Sequence, residues 1–189
     1  MQDETQQSLE WVCSIVSRLL ELINSIKGQA NERMLTSSQR TAFADLINSW
    51  RYPGTLNLTG PTGCGKTFLG WIVARHFQAS FYAVPGLLRQ DLPLYSPAVI
   101  IDNSPTEEKE VRRILSEIQL RQIKKTVLIT SKPIRLGFPI IELGNPTTED
   151  IQQFYNNLRI LQHFPTQPIS TGNLWQVIYS VIKEPPHES

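Results

Sequence analysis

The chain has few of the residue types that mark several common classes of protein. Its 189 residues include two cysteines, Cys13 and Cys64, and three histidines that are scattered along the sequence. Two distant cysteines form neither a disulfide framework nor a cysteine-based metal cluster, and the histidines lack the spacing of metal ligands. This composition argues against a disulfide-stabilised protein or a zinc module, and it predicts a reducing compartment.

Long apolar runs and a large excess of charge are also missing. The most apolar early stretch, residues 11–26, contains Arg18 and Glu21 and is too short and too charged to cross a membrane. The polar start MQDETQQ is unlike a signal peptide. A formal net charge of +1 gives no overall attraction to nucleic acid. Together these absences predict a cytoplasmic protein.

What the sequence does contain is enough apolar material for a globular core, with 40% hydrophobic residues. Apolar side chains recur at helical spacing near the start of the chain and predict an amphipathic helix over residues 6–27: Val12, Ile15, Val16, Leu19, Ile23 and Ile26. Such a helix either packs on the core or docks a partner or a second subunit, and the sequence leaves both open.

The middle of the chain alternates between strand and helix patterns. Strands are predicted over residues 55–59, 80–84, 98–101, 126–130 and 139–143. Helices are predicted after Thr36, which forms a capping-box pattern with Gln39, then over residues 68–77, and from Ser104 as N-cap. This alternation predicts a parallel sheet with helices on both faces.

After Gly144 the strand patterns stop, and two more helices are predicted over residues 147–162 and 172–183. The predicted organisation is an N-terminal amphipathic helix in residues 1–35, an α/β core in residues 36–145, and a small helical region in residues 146–189.

The segment GPTGCGKT is the strongest chemical signal in the chain. It satisfies G-x-x-x-x-G-K-[ST] between a predicted strand and a predicted helix, which is the context of a phosphate-binding loop, or Walker A motif. Its glycines let backbone N–H groups converge on phosphate oxygens, and the next helix adds its positive N-terminal end. The predicted nucleotide-binding residues are Gly60, Pro61, Thr62, Gly63, Cys64, Gly65, Lys66 and Thr67.

This loop predicts that the chain binds ATP or ADP with Mg²⁺. Lys66 is expected to reach the β- and γ-phosphates, and the Thr67 hydroxyl to ligate the metal ion. Asp102, directly after an apolar strand, is the expected carboxylate of the magnesium shell. The predicted fold class is therefore α/β: a P-loop NTPase three-layer sandwich with a parallel sheet, N-terminal helices and a small C-terminal helical lid.

The order of these elements over residues 36–183 resembles that of the AAA+ ATPases. The segment TSKP at residues 130–133 is similar to the family's sensor-1 segment, and GNL at residues 172–174 resembles the start of the lid helix that usually carries sensor 2. The pattern is closest to the initiator and helicase-loader branch, with its DnaA-like and IstB-like members. The resemblance implies an ATP site that is shared between neighbouring subunits of an oligomer.

Departures from the family pattern argue against efficient hydrolysis. In hydrolysing members a glutamate usually follows the Walker B aspartate, but Asn103 stands here, and an amide cannot accept a proton from water. Ser131 is shorter than the asparagine that is common at sensor 1. Trp175 or Gln176 stands where a sensor-2 arginine would be expected.

Arg135 follows the sensor-1 segment, a region in which AAA+ proteins often carry an arginine finger that acts on a neighbour's ATP. The alternative is a solvated surface arginine. The candidate catalytic residues are therefore Lys66, Asn103, Ser131 and Arg135.

Residues 112–135 hold a local excess of positive charge, with Glu117 as the one acid among seven basic residues: Arg112, Arg113, Arg121, Lys124, Lys125, Lys132 and Arg135. The stretch is either a solvated face or a patch for DNA or an acidic partner, and it lacks interleaved aromatic residues for stacking bases.

Three functions fit these features. The first is an AAA+-like ATP-binding regulator or assembly factor that hydrolyses ATP slowly or not at all and acts with a partner protein, DNA or further copies of itself. The second is an active DNA-directed ATPase, such as an initiator, a loader or a transposition helper. The third is a small P-loop kinase, which the late position of the loop and an arginine-poor tail argue against.

Overall fold

A computed structural model of the protein describes residues 2–89, 96–161, 173, 174 and 176–178. Most of the tail helix predicted over residues 172–183, including Trp175, lies outside the described residues. None of the described helices is both long enough and apolar enough to span a membrane.

The sheet has the parallel architecture that the alternating pattern predicts. Its strands are β1 (Gly54–Thr59), β2 (Ser80–Tyr82), β3 (Ala98–Ile101), β4 (Lys125–Thr130) and β5 (Ile140–Glu142). Their order is β2-β3-β4-β1-β5, and every neighbouring pair is parallel. All carboxyl ends therefore meet at one edge of the sheet, and β4 lies between the strand that precedes the phosphate loop and the strand that precedes Asp102.

Helices cover both faces of this sheet, as predicted. They are α1 (Gln2–Gln29), α2 (Ser37–Trp50), α3 (Lys66–His76), α4 (Glu108–Leu120) and α5 (Thr148–Leu161). One apolar cluster joins side chains of α1, α2, α3 and α5 to residues such as Leu58 and Ile129 of the sheet. A second cluster packs α4 against the opposite face through Val99 and Leu128.

The start of α4 differs from the sequence-based prediction. Ser104 was expected to be its N-cap, but the helix begins at Glu108, and Glu107 takes the cap position. The Ser104 hydroxyl instead donates to the carbonyl of Ile101 at 3.0 Å, at the end of β3. The N-cap prediction was wrong because the Ser104 hydroxyl closes the turn after β3, and α4 begins four residues later.

The first helix packs on the core and also has exposed apolar side chains. Leu22 and Ile26 are buried in the core, whereas Val12, Val16 and Leu20, one turn apart, are about half exposed. Its C-terminal end is fixed by Arg75 of α3, whose guanidinium donates to the carbonyls of Lys27, Gly28 and Ala30. Leu22 and Ile26 near the end of α1 thus belong to the core, and Val12, Val16 and Leu20 in its middle form an exposed apolar stripe.

A single buried carboxylate joins the start of α5 to the start of α2. Asp150 accepts hydrogen bonds from the Ser38 N–H (3.1 Å) and hydroxyl (2.6 Å), and from the Thr147 N–H and hydroxyl (3.0 Å each). Burial alone would raise the pKa of Asp150, but these hydrogen bonds lower it from 3.8 to about 2. Negative charge at two helix N-termini also favours both helix dipoles.

We expect Asp150→Asn to lower the free energy of unfolding at pH 7 by about 2 kcal/mol. The folded-state pKa is depressed, so the stabilisation is complete above the unfolded pKa and is lost as pH falls from about 4 to about 2. Urea unfolding of the two proteins at several pH values measures this difference. The neighbouring exposed acid provides the control: Glu149→Gln should be nearly neutral, and equal effects of both changes would contradict the assignment.

Candidate functional site

The segment GPTGCGKT forms the connection between β1 and α3, and its backbone requires glycine. Gly60 has a φ of 151°, and a Cβ there would lie 2.1 Å from the carbonyl oxygen of Leu143. Gly65 has a φ of 92°, and a Cβ there would lie 2.1 Å from Nε2 of Gln39. Neither position accepts another residue, because the left-handed conformation and the close neighbours both exclude a side chain.

Lys66 folds back over the loop that it ends. Its ammonium group donates to the carbonyls of Gly60 (2.7 Å) and Pro61 (2.8 Å) and lies 3.8 Å from Sγ of Cys64. Burial raises the pKa of the Cys64 thiol, although the nearby Lys66 charge opposes this shift. Cys64 is therefore a protonated, buried packing residue of the loop.

Thr67 and Asp102 are in direct contact across the end of β4. The Thr67 hydroxyl donates to Oδ2 of Asp102 at 2.6 Å, and Asp102 is 5% exposed. A hydroxyl and a carboxylate are the hard oxygen ligands that Mg²⁺ accepts, usually alongside water and phosphate oxygens. The described residues contain no cluster of three His, Cys, Asp or Glu side chains. Thr67 and Asp102 therefore offer two oxygen ligands of the kind that such an ion accepts.

A cavity of about 750 Å³ opens beside this pair. Its lining brings together eight of the residues predicted from the sequence: Thr62, Gly63, Gly65, Lys66, Thr67, Asp102, Asn103 and Ser131. Its apolar walls come from several elements: Ile23, Ile26, Phe68, Trp71, Phe154, Leu174 and Ile178. This volume lies within the range of small-molecule sites, and a polar end beside apolar walls is their usual design.

Arg135 is not among the residues that line this cavity, and its side chain is exposed. Ser131 lines the cavity of its own chain, whereas Arg135 does not. The residue predicted for sensor 2, Trp175, lies outside the described residues. Its alternative, Gln176, is exposed and accepts a hydrogen bond from the N–H of Asn173 at 2.9 Å, as part of a helix cap.

Asn103 has a backbone conformation that restricts its replacement. Its φ is 49°, in the left-handed region, and its side-chain amide donates to the carbonyl of Ala83 at 2.9 Å. Asparagine and aspartate tolerate this conformation better than other residues with a Cβ. The left-handed turn after β3 thus restricts which residues can replace Asn103, in addition to the hydrogen bond of its side chain.

We expect Asn103→Gly to be about 1 kcal/mol more stable than Asn103→Ala. Both variants lose the hydrogen bond to Ala83, so their difference isolates the backbone term. Thermal or urea unfolding of the two proteins measures it. Equal stabilities would show that the left-handed turn is not required in solution.

Sequence reasoning missed the contribution of α1, and it named residues 172–174 as the start of a lid helix without identifying their contact with the glycine-rich loop. Asn24 and Lys27 of α1 line the cavity, and the N–H of Leu174 donates to the carbonyl of Gly63 at 3.1 Å. Helical periodicity identified the apolar face of α1, but nothing in it indicates which other element that face meets. The contact of Leu174 depends on a distant loop and carries no local signal.

The basic stretch of residues 112–135 contains one buried lysine and two arginines that pair with acids. Lys125 is buried and donates to the carbonyls of Ser49 and Tyr52, both at 2.7 Å, and burial lowers its pKa. Arg112 pairs with Glu108 at 2.6 Å, and Arg113 with Glu110 at 2.7 Å. Those acids precede the stretch by one helical turn, so counting from residue 112 overlooked them. The expectation that Lys125 belongs to a solvated face or a binding patch was wrong, because this lysine is buried.

The parallel sheet, the glycine-rich connection after β1 and the paired Thr67 and Asp102 define the class of fold: an α/β P-loop NTPase sandwich. No protein-family model matches the chain, and comparison with curated proteins gives no match. Among solved structures, the chain is similar to a variant of RuvB from Thermotoga maritima, with 21% sequence identity and a TM-score of 0.48. The similar region covers 68% of this chain and 50% of the RuvB chain. This chain therefore matches about half the length of the RuvB chain.

Proposed function

We propose that this chain is an AAA+-like ATP-binding regulator or assembly factor that hydrolyses ATP slowly or not at all. One observation carries the proposal: Lys66, Thr67 and Asp102 meet at the polar end of one cavity, while the next position holds Asn103 instead of an acid. The first three residues suit binding of a magnesium nucleotide. The fourth lacks the group that would activate water.

The loop residues would hold the phosphates. Backbone N–H groups at the start of α3 point toward the loop, and the helix adds a positive end to the site. The Lys66 ammonium would exchange the carbonyls of Gly60 and Pro61 for phosphate oxygens. Thr67 and Asp102 would hold Mg²⁺, which when bound neutralises phosphate charge.

The apolar end of the cavity suits a nucleobase. Phe68 and Trp71 of α3 lie two and five residues after Lys66, and their rings are in edge contact at 6.5 Å between centroids. Ile23 and Ile26 of α1 line the same cavity. A nucleotide held there would contact α1, the helix that also carries the exposed stripe of Val12, Val16 and Leu20.

That stripe and Arg135 support a protein partner or a second copy of the chain. Apolar side chains at one-turn spacing form the face that a partner helix or groove recognises. Arg135 is exposed and lies outside its own cavity, as a residue acting on a neighbour's nucleotide must. We favour this assignment over DNA, because Lys125 is buried and Arg112 and Arg113 are paired with acids.

We expect Lys66→Ala to weaken binding of Mg·ATP by at least about tenfold, since charge-assisted hydrogen bonds contribute about 1.5–3 kcal/mol each. Titration calorimetry with a non-hydrolysable ATP analogue measures the change in Kd. Lys124→Ala is the control, because Lys124 is exposed and is not among the residues that line the cavity. Wild-type binding by Lys66→Ala would refute the nucleotide site.

We expect slow steady-state hydrolysis by the wild type and at least about a tenfold increase in Asn103→Asp, since general-base catalysis contributes about 10²–10⁴-fold. Aspartate supplies a carboxylate and tolerates the left-handed backbone, whereas glutamate, the residue usual in the family, would be strained there. A phosphate-release assay follows the rate. Fast wild-type turnover that Lys66→Ala abolishes would contradict the proposal of a slow switch.

A further inference from the structure

Asn57 is a fully buried polar residue in the middle of β1, and it is 0% exposed. Its amide nitrogen donates to the carbonyl of Leu128 at 3.0 Å and to the hydroxyl of Thr130 at 2.9 Å. Its amide oxygen accepts from the N–H of Ile134 at 2.9 Å. All three partners lie on β4 or on the loop that follows it.

These bonds fix the path of the chain around Ser131. The pairing of β1 with β4 ends at Thr59 and Thr130, and the backbone then leaves the sheet. The Thr130 hydroxyl donates to the carbonyl of Lys132 at 2.7 Å, and Ile134 is anchored with 1% exposure. Ser131 lies between two residues that Asn57 holds, and it reaches the cavity of Lys66 and Thr67.

A polar side chain in this position requires an explanation. Burial of an amide costs several kcal/mol unless its hydrogen bonds are made, and an apolar residue would fill the core of β1 without that cost. The position is three residues before Gly60, on the strand that carries the phosphate loop. Asn57 therefore ties two loops of the candidate site to one strand.

We propose that Asn57 is a positioning residue, which holds Ser131 where it can contact the terminal phosphate of a bound nucleoside triphosphate. The inference rests on the proposed nucleotide site and deepens it, because it assigns the distinction between ATP and ADP to a network within β1 and β4. Asn57 itself is buried and is not among the residues that line the cavity. It acts through Thr130 and Ile134 on Ser131.

The readout is the ratio of the Kd values for ADP and for a non-hydrolysable ATP analogue, both with Mg²⁺. We expect the wild type to prefer the triphosphate and Ser131→Ala to reduce that preference about tenfold, as expected for one hydrogen bond to a charged group. Asn57→Leu and the isosteric Thr130→Val should reduce it similarly. ADP affinity should change less than about twofold, because the phosphate loop is intact.

A double-mutant comparison separates positioning from a purely structural role. If Asn57 acts through Ser131, Thr130→Val and Asn57→Leu will cause no further loss of preference in the Ser131→Ala background. Thr59→Val is the matched control. Thr59 lies on the same strand, is 1% exposed, and has a hydroxyl without a hydrogen-bond partner among the described residues. It should leave the ratio unchanged.

Several results would overturn the inference: a wild type without triphosphate preference, additive losses in the double variants, or lower melting temperatures with an unchanged ratio. An equal effect of Thr59→Val would do the same. Should Asn57→Leu fail to fold, Thr130→Val carries the test. If Lys66→Ala binds nucleotide like the wild type, the proposed function itself fails. If binding depends on Lys66 but the ratio of Kd values does not depend on Asn57, only this inference is rejected and the proposed function stands.

Discussion

The parallel pairing of β1 with β4 is the constraint on which the rest of the site depends. The two strands run in register from Gly54 and Lys125 to Thr59 and Thr130, so they end side by side. The phosphate loop follows β1 and the Ser131 segment follows β4, so both begin at the same edge of the sheet. Because β3 pairs with the far side of β4, Asp102 comes to the same edge and meets Thr67. A change in this register would displace every polar group of the site at once.

Buried polar side chains fix how the elements meet. Asn57 joins β1 to the loop after β4, Lys125 closes the end of α2, and Asp150 joins α2 to α5. Burial of each of these groups costs free energy, which its hydrogen bonds offset. Those bonds form in one arrangement only, because the partners come from different parts of the chain. Apolar packing favours a compact sheet with helices on both faces. These polar contacts select the particular arrangement in which the cavity forms.

The sequence predicted the elements well where one local signal dominates. Apolar runs identified each strand within about two residues, and the glycine-rich motif identified the connection between β1 and α3. Errors arose where a polar residue has two possible partners. Ser104 resembles an N-cap but bonds to Ile101, and Lys125 resembles a surface cation but bonds to the end of α2. Long-range contacts of this kind leave no periodic trace in a sequence.

The state of Lys66 affects how nucleotide binding would be coupled to the rest of the molecule. The Lys66 ammonium already donates to two carbonyls of the loop. A bound phosphate would replace these acceptors and would not add hydrogen bonds to a solvated charge. The carbonyls it releases belong to Gly60 and Pro61, and Gly60 packs against the carbonyl of Leu143 at the end of β5. On the other side of the loop, Gly63 accepts the N–H of Leu174. Movement of Lys66 onto a phosphate, as proposed, would therefore act on a loop that is held from both sides, by Leu143 and by Leu174.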